Sequence, residues 1–411
     1  MRPTARLDFA SIASRSSELA QQLARRGVAD AEKVVGDVLA ARAARLDAQR
    51  AFDELRRRRN ASDAVDRDAM RSAKAALDAA TERLDALAVA LPNWTHPDAP
   101  WGAEDRARIA GSSCGVAALA EEPREWATPD WPRANHLPLA ESRGWVDLAA
   151  GAETSGSKFA FLKGPLALLE LGLQQLAVRR LAARGFTPVA TPDLVKPALV
   201  EACGFQPRGP NAQVYFVRDA DLCLAGTSEI PLAGSLAGKR LKGATRLAGF
   251  GHCFRTEAGS PGAYSRGLYR LHQFTKVEMF AACAPADSER LHDELVGHTT
   301  SLCDALRLPW RLLDMPTQEL GASAYRKFDV EVWMPGSRRW GEVASITNCT
   351  DFQARRLDVK MERGGDFAHT LNGTACAVPR MLIALVENHQ TKDGAVALPE
   401  PLAEVVGFRS F

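Results

Sequence analysis

Cys253-Phe254-Arg255-Thr256-Glu257, followed after a loop by His272-Gln273-Phe274-Thr275-Lys276-Val277-Glu278-Met279-Phe280, is the stretch that decides the reading of this chain. Phe254, Thr256 and the residues after 272 alternate as strands do, and the Gly/Ser/Pro segment 258–263 reads as the loop between two strands. On adjacent antiparallel strands, side chains of like parity share a face. That face would carry Arg255, Glu257, Phe274, Lys276 and Glu278 together. Charges rarely line one sheet face unless a polar ligand sits on it.

Outward from this stretch, the bulk properties bound the answer. A chain of 411 residues predicts two or three domains and a large core. Hydrophobic residues make up 46% and charged residues 25%, as in ordinary globular proteins. The formal net charge is only +2, so nucleic-acid binding would need a local basic patch. The eight cysteines, at 114, 203, 223, 253, 283, 303, 349 and 376, form no CxxC pair. Such scatter disfavours disulfides and zinc and favours reduced thiols in a cytosolic-type compartment. No apolar run is long enough to span a bilayer, so no membrane partner is expected.

Residues 1–105 form a region apart, rich in Ala, Arg, Asp and Glu and nearly free of strand formers. Asp30 is placed to cap a helix running to about Arg59. Asn60-Ala61-Ser62-Asp63 reads as a turn, and a second helix runs to Leu91, where Pro92-Asn93 stops it. Met70, Ala73, Leu77, Ala80, Leu84, Leu87 and Leu91 recur three and four apart, which is a coiled-coil seam. Val34, Val38, Ala41, Ala48, Phe52 and Leu55 follow the same rule, with Arg45 interrupting. The two helices predict an antiparallel hairpin, each limb roughly 40 Å long. Arg56, Arg57, Arg58 and Arg59 sit beside its tip; such a run is either a solvated face or a phosphate contact. The Pro- and Trp-rich segment from about 95 to 140 reads as a linker. From about 145 onward, strands and helices alternate, and residues 106–411 form the second region.

The wording Phe254-Arg255-Thr256-Glu257-Ala258-Gly259-Ser260, Arg266-Gly267 and His272-Gln273-Phe274-Thr275-Lys276-Val277-Glu278 resembles motif 2 of the class II aminoacyl-tRNA synthetases, and the seryl-tRNA synthetases in particular. Helix Pro165 to Arg184, then Gly185-Phe186-Thr187-Pro188-Val189-Ala190-Thr191-Pro192, resembles motif 1, which implies a homodimer. Thr370-Leu371-Asn372-Gly373-Thr374-Ala375-Cys376-Ala377-Val378-Pro379-Arg380, before an apolar helix Met381 to Gln390, resembles motif 3. Pro379 stands where many bacterial members carry Gly. The wording ACAVPR is similar to the animal mitochondrial type, so the mitochondrial matrix stands beside the cytoplasm as a location. The resemblance spans about residues 7 to 405.

The resemblance implies an α+β fold: an N-terminal antiparallel coiled-coil arm on a class II catalytic domain with a central antiparallel β-sheet flanked by helices. It implies two reactions, in which serine attacks the α-phosphate of ATP and the seryl group then passes to the terminal adenosine of tRNA(Ser). Arg255, Glu257 and Arg380 take the catalytic roles. Arg255 would bind the α-phosphate and the serine carboxylate. Thr256, Glu257, Leu271, Phe274, Glu342, Val343, Ala344, Ser345 and Arg380 join Arg255 on ATP, with Phe274 stacking on adenine. Thr227, Ser228, Glu229, Glu278, Asn372 and Thr374 join Arg255 on L-serine, where a site that hydrogen-bonds a hydroxyl rejects analogues lacking it. Glu342 and Ser345 offer hard oxygens to Mg²⁺. The arm would grip tRNA by shape and backbone contact, with DNA not among the partners. The arm is short for the family, with residues missing around its tip. The rivals are a second-copy seryl enzyme serving antibiotic self-resistance or biosynthesis, an aminoacyl–carrier-protein ligase, and a non-catalytic homologue acting as an RNA- or protein-binding partner.

Overall fold

The computed structural model describes residues 7–61, 66–123, 131–206, 212–258 and 267–411. The segment of the loop 258–263 from 259 on, Arg266, and Ser62-Asp63 of the hairpin turn lie outside the described residues.

The N-terminal region comprises α1 (Phe9–Ser14), α2 (Ser16–Arg25), α3 (Ala31–Asn60) and α4 (Arg67–Ala90). α3 and α4 pack along each other as the seam requires, burying Val38, Ala41, Leu84 and Ala88. Leu77, Ala80 and Phe52 are half-buried toward the tip, where only two helices share the load. Asp66 caps α4 by accepting from Asp68 N at 3.0 Å. Asp30 does not act as the expected cap: it sits in the left-handed region at φ 50°, with its carboxylate off the helix N–H groups. Arg56, Arg57, Arg58 and Arg59 are all exposed.

The remainder is built on an eight-stranded sheet. Its strands are β1 (Arg108–Ser112), β2 (Thr187–Ala190), β3 (Thr245–Phe254), β4 (Gln273–Cys283), β5 (Trp310–Asp314), β6 (Arg326–Met334), β7 (Arg339–Thr350) and β8 (His369–Ala377). They lie in the order β1-β5-β6-β7-β8-β4-β3-β2. Every pairing is antiparallel except β2 with β3. The expectation of a linker over 95–140 therefore needs correction, since this segment supplies the edge strand β1. Arg108-Ile109-Ala110-Gly111-Ser112 has neither the alternation nor the bulk that marks a strand, and it pairs through a bulge at Ala110.

The helices α5 (Pro165–Ala182), α6 (Pro197–Ala202), α7 (Glu229–Ser235), α8 (Ser288–Ala305), α9 (Phe352–Leu357) and α10 (Val378–His389) cover the sheet. β4 shows the division of labour. Val277, Met279, Ala281 and Cys283 enter the main core with α5, α8 and α10. Phe280 and Ala282, of opposite parity, enter a smaller core with α6, α7 and α9. Further along the same face, Glu278 and Lys276 are buried and Phe274 is half-buried. All eight cysteines are free and buried. No helix among the described residues is long and apolar enough to cross a membrane.

The arm is fastened to this body at its root. Arg26 donates from Nε to Thr95 Oγ1 at 2.8 Å and through its terminal nitrogens to the carbonyls of Gly321, Trp94 and Ala324. Burial without a carboxylate partner lowers its pKa to about 10. Thr317 Oγ1 donates to Arg25 O at 2.7 Å, and Asn93 N donates to Ala322 O at 2.8 Å.

Candidate active site

The register of β3 and β4 pairs Cys253 with Phe274, Gly251 with Lys276 and Gly249 with Glu278. Phe274, Lys276 and Glu278 thus share the front face, and Arg255 continues the same line one step beyond β3, its backbone N–H donating to His272 O at 2.9 Å. The Arg255 guanidinium lies 5.2 Å from the Phe274 ring centroid. The strand ends at Phe254, so Thr256 and Glu257 are not strand residues as the alternation suggests. Glu257 adopts φ 48° and pairs with Arg270 NH1 at 3.0 Å.

An open cavity gathers these groups. Arg255, Glu257, Leu271, Phe274, Lys276, Glu342, Val343, Ala344, Thr374 and Arg380 line it, together with Tyr269, Arg270 and Pro379. Pro379 occupies the first turn of α10, which starts at Val378 rather than Met381, and there proline costs no helical hydrogen bond.

Two bulges decide which residues of β7 and β8 reach the cavity. Glu342 and Ser345 are three apart, a spacing that puts side chains on opposite faces of a regular strand. Here Glu342 pairs with Glu331 and Ser345 with Asp329, with Val343 as the extra residue, so both project to the front. A second bulge, at Ala375, does the same for Thr374, opposite Glu278, and Ala377, opposite Lys276. Neither bulge has a signal in the sequence.

At the inner end lies a buried polar floor. Lys276 Nζ pairs with the Glu278 carboxylate and donates to Thr227 Oγ1 at 2.8 Å. Thr374 Oγ1 donates to Glu278 Oε2 at 3.4 Å. Glu229, at the start of α7, accepts from Asn372 Nδ2 at 2.9 Å. Burial, and then the Glu278 carboxylate, push the Glu229 carboxyl up to about 7. Gly249 allows this closeness, because a Cβ there would stand 2.8 Å from Ser228 Cβ and 2.9 Å from Leu232 Cδ1. Two residues are turned elsewhere. Ser228 meets Thr191 Oγ1 at 3.2 Å, and Thr256 donates to Ala212 O at 2.7 Å.

At the outer end, Arg380 NH1 lies 3.3 Å from Glu342 Oε1, and its guanidinium covers the Tyr269 ring at 4.5 Å. Burial pushes the Glu342 carboxyl up, but Arg380, Lys327, Arg255 and Arg270 outweigh it and hold the group below its usual range. Its side chain is still 43% exposed, so the ionised oxygens face the opening. A second opening continues past Tyr269 and Glu342 toward Arg311, Asp329, Glu331 and Trp340. Sequence reasoning misses Tyr269 and Arg270. Their position between the loop and His272 is the available signal.

Residues 215–389 match the model of the tRNA synthetase class II core domain for the G, H, P, S and T enzymes. The chain is 42% identical over 430 residues to the serine–tRNA ligase of Rhodopirellula baltica, covering 98% of both chains. It is 47% identical over 333 residues to that of Rubrobacter xylanophilus, covering 79% of this chain and 76% of the relative. The seryl-tRNA synthetase of Pyrococcus horikoshii, solved in complex with ATP, superposes with a TM-score of 0.88 at 30% identity, covering 98% of this chain and 99% of the other. With 98% of the Rhodopirellula relative matched at 42% identity and a fold match of equal extent, the chain belongs to the seryl-tRNA synthetase family of class II aminoacyl-tRNA synthetases.

Proposed function

We propose that the chain activates L-serine with ATP and transfers the seryl group to the 3′ end of tRNA(Ser). The observation that carries this reading is the gradation through one site: a buried acid pair inside, a guanidinium and a phenyl ring in the middle, and an ionised carboxylate at the mouth.

In the first step a serine carboxylate oxygen attacks the α-phosphorus, and the bond to the β-phosphate breaks, releasing pyrophosphate. Such chemistry needs positioning and charge neutralisation rather than a protein nucleophile. Arg255 holds the serine carboxylate and the α-phosphate together. Glu229 and Glu278 receive the ammonium and hydroxyl groups, and Thr374 limits the space beside the hydroxyl. Phe274 supports the adenine, Glu257 is held by Arg270 on the ATP side, and Arg380 reaches the outer phosphates. In the second step the terminal ribose 3′-hydroxyl attacks the seryl carbonyl, and AMP leaves. Serine-dependent exchange of pyrophosphate into ATP, followed by charging of tRNA(Ser), tests both steps; absence of exchange overturns the reading.

Glu342 and Ser345 fit Mg²⁺, since both are hard oxygen donors on one face and the carboxylate is held ionised. Bound there, Mg²⁺ would neutralise phosphate charge. Glu342→Gln is expected to lower kcat for exchange about 100-fold and to raise the Mg²⁺ concentration needed for half-maximal rate. A Mg²⁺ titration of parent and variant checks this.

An apolar surface on the motif 1 element supports the homodimer reading. Leu168 and Leu171 on α5 are 51% and 65% exposed, and Phe161 and Leu194 are also exposed. Leu168 and Leu171 are three apart on one helix, so they share a face, and large exposed side chains on one face are what an interface uses. Leu171→Asp is expected to convert a dimer, twice the 44.4 kDa chain mass, to monomers in light scattering.

A further inference from the structure

Gln353, on α9, is fully buried and lines neither opening of the site. Its Nε2 donates to Glu229 Oε1 at 2.6 Å and lies 3.4 Å from Cys203 O. These two acceptors fix which end of the amide is nitrogen. Asn372, on β8, donates to the same Glu229 oxygen, and neither amide engages Oε2. The cost falls on Gln353 itself, whose Oε1 is buried without a hydrogen-bond partner among the described residues. An orphaned buried carbonyl is unfavourable, so the amide is held for what its nitrogen does.

The groups facing Glu229 show why a donor is needed. Glu278 and Lys276 come from β4, Arg255 from the end of β3, Cys203 from beside α6 and Cys349 from β7. Lys276 is already engaged by Glu278 and Thr227. Against burial and the Glu278 charge, the hydrogen bond from Gln353 is the largest influence keeping Glu229 ionised, ahead of Lys276 and Arg255.

We propose that Gln353 is a positioning residue for recognition of the substrate's ammonium group: its amide donates to Glu229 Oε1, fixes that carboxylate in place and leaves Oε2 for the ligand. The inference rests on the reading of the buried floor as the serine site.

Gln353→Met removes the donor at nearly constant length and volume. The test is pyrophosphate exchange by the full chain, with serine KM, ATP KM and kcat measured from about pH 6.5 to about pH 9. Near neutral pH, serine KM is expected to rise about 10–30-fold, with ATP KM unchanged within about twofold. The sign of the pH dependence is fixed. Losing a donor to the charged form raises the Glu229 pKa, so the deficit relative to the parent shrinks as pH rises. In a Glu229→Gln background, Gln353→Met should leave serine KM unchanged. Should Gln353→Met fail to fold, Gln353→Leu, which also removes the donor without adding a charge, is read in the same way. Equal rises in serine and ATP KM, a ratio flat with pH, or an undiminished effect in the Glu229→Gln background would overturn the proposal. Failure of the functional reading itself looks different, because the parent would then show no serine-dependent exchange.

Discussion

Arg255→Ala is expected to lower serine-dependent pyrophosphate exchange by on the order of 10³-fold, with the protein still folded. The side chain sits between the two ends of the cavity. Its Nε is anchored on Gly226 O at 3.3 Å, and its plane stands over the Phe274 ring. Anchoring through Nε presents the terminal fork to ligand, and a fork is what two negatively charged groups meeting at one phosphorus require. Removing it sacrifices charge-assisted bonds that strengthen as charge gathers in the transition state, so the loss should fall on kcat as well as on both KM values. Arg255→Lys should recover little, because a single ammonium cannot bridge carboxylate and phosphate in the same geometry. Exchange within tenfold of the parent would remove Arg255 from the reaction.

The second large effect concerns RNA. Replacing Arg56, Arg57, Arg58 and Arg59 together by Ala is expected to lower kcat/KM for charging tRNA about 100-fold near physiological salt, while pyrophosphate exchange stays within about twofold. All four lie at the exposed end of α3, where Arg57 makes only a surface pair with Glu54 at 3.2 Å. Such pairs contribute little to stability, so the change should act on binding rather than folding. Every phosphate that is no longer neutralised also weakens the salt dependence. The slope of log affinity against log salt should therefore flatten by about three. A variant that charges normally at every salt concentration would mean that these arginines are only a solvated surface.

Which parts of the site are legible follows from how locally each is encoded. The helical hairpin and the strand pair around residues 253–278 follow from period and parity, and both rules act between near neighbours. Arg255, Phe274, Lys276 and Glu278 come together for that reason. Ser228 and Thr256 sit within the right motifs, yet their hydroxyls turn toward Thr191 and Ala212, partners set by tertiary packing. Glu342 and Ser345 share a face only through a bulge, whose position depends on how β6 and β7 pair. β1 reads as linker because a sheet edge asks little of side-chain pattern. Gln353 has no signal of its own within its motif, because the acceptor that gives it meaning lies more than a hundred residues away.

The half-buried Arg26 at the arm's root has a geometric corollary. Arg26 binds neutral oxygens from two separate stretches, 94–95 and 321–324, so the angle at which α3 departs is set there and not along the helix. α3 has 30 residues and extends about 45 Å beyond that bracket. One degree of tilt at the base displaces the far end by about 0.8 Å over that length. The joint works as a protractor: it converts small packing differences around residues 94–95 and 321–324 into the aim of a lever, and so would decide where a nucleic acid held by the proposed arm contact meets the protein.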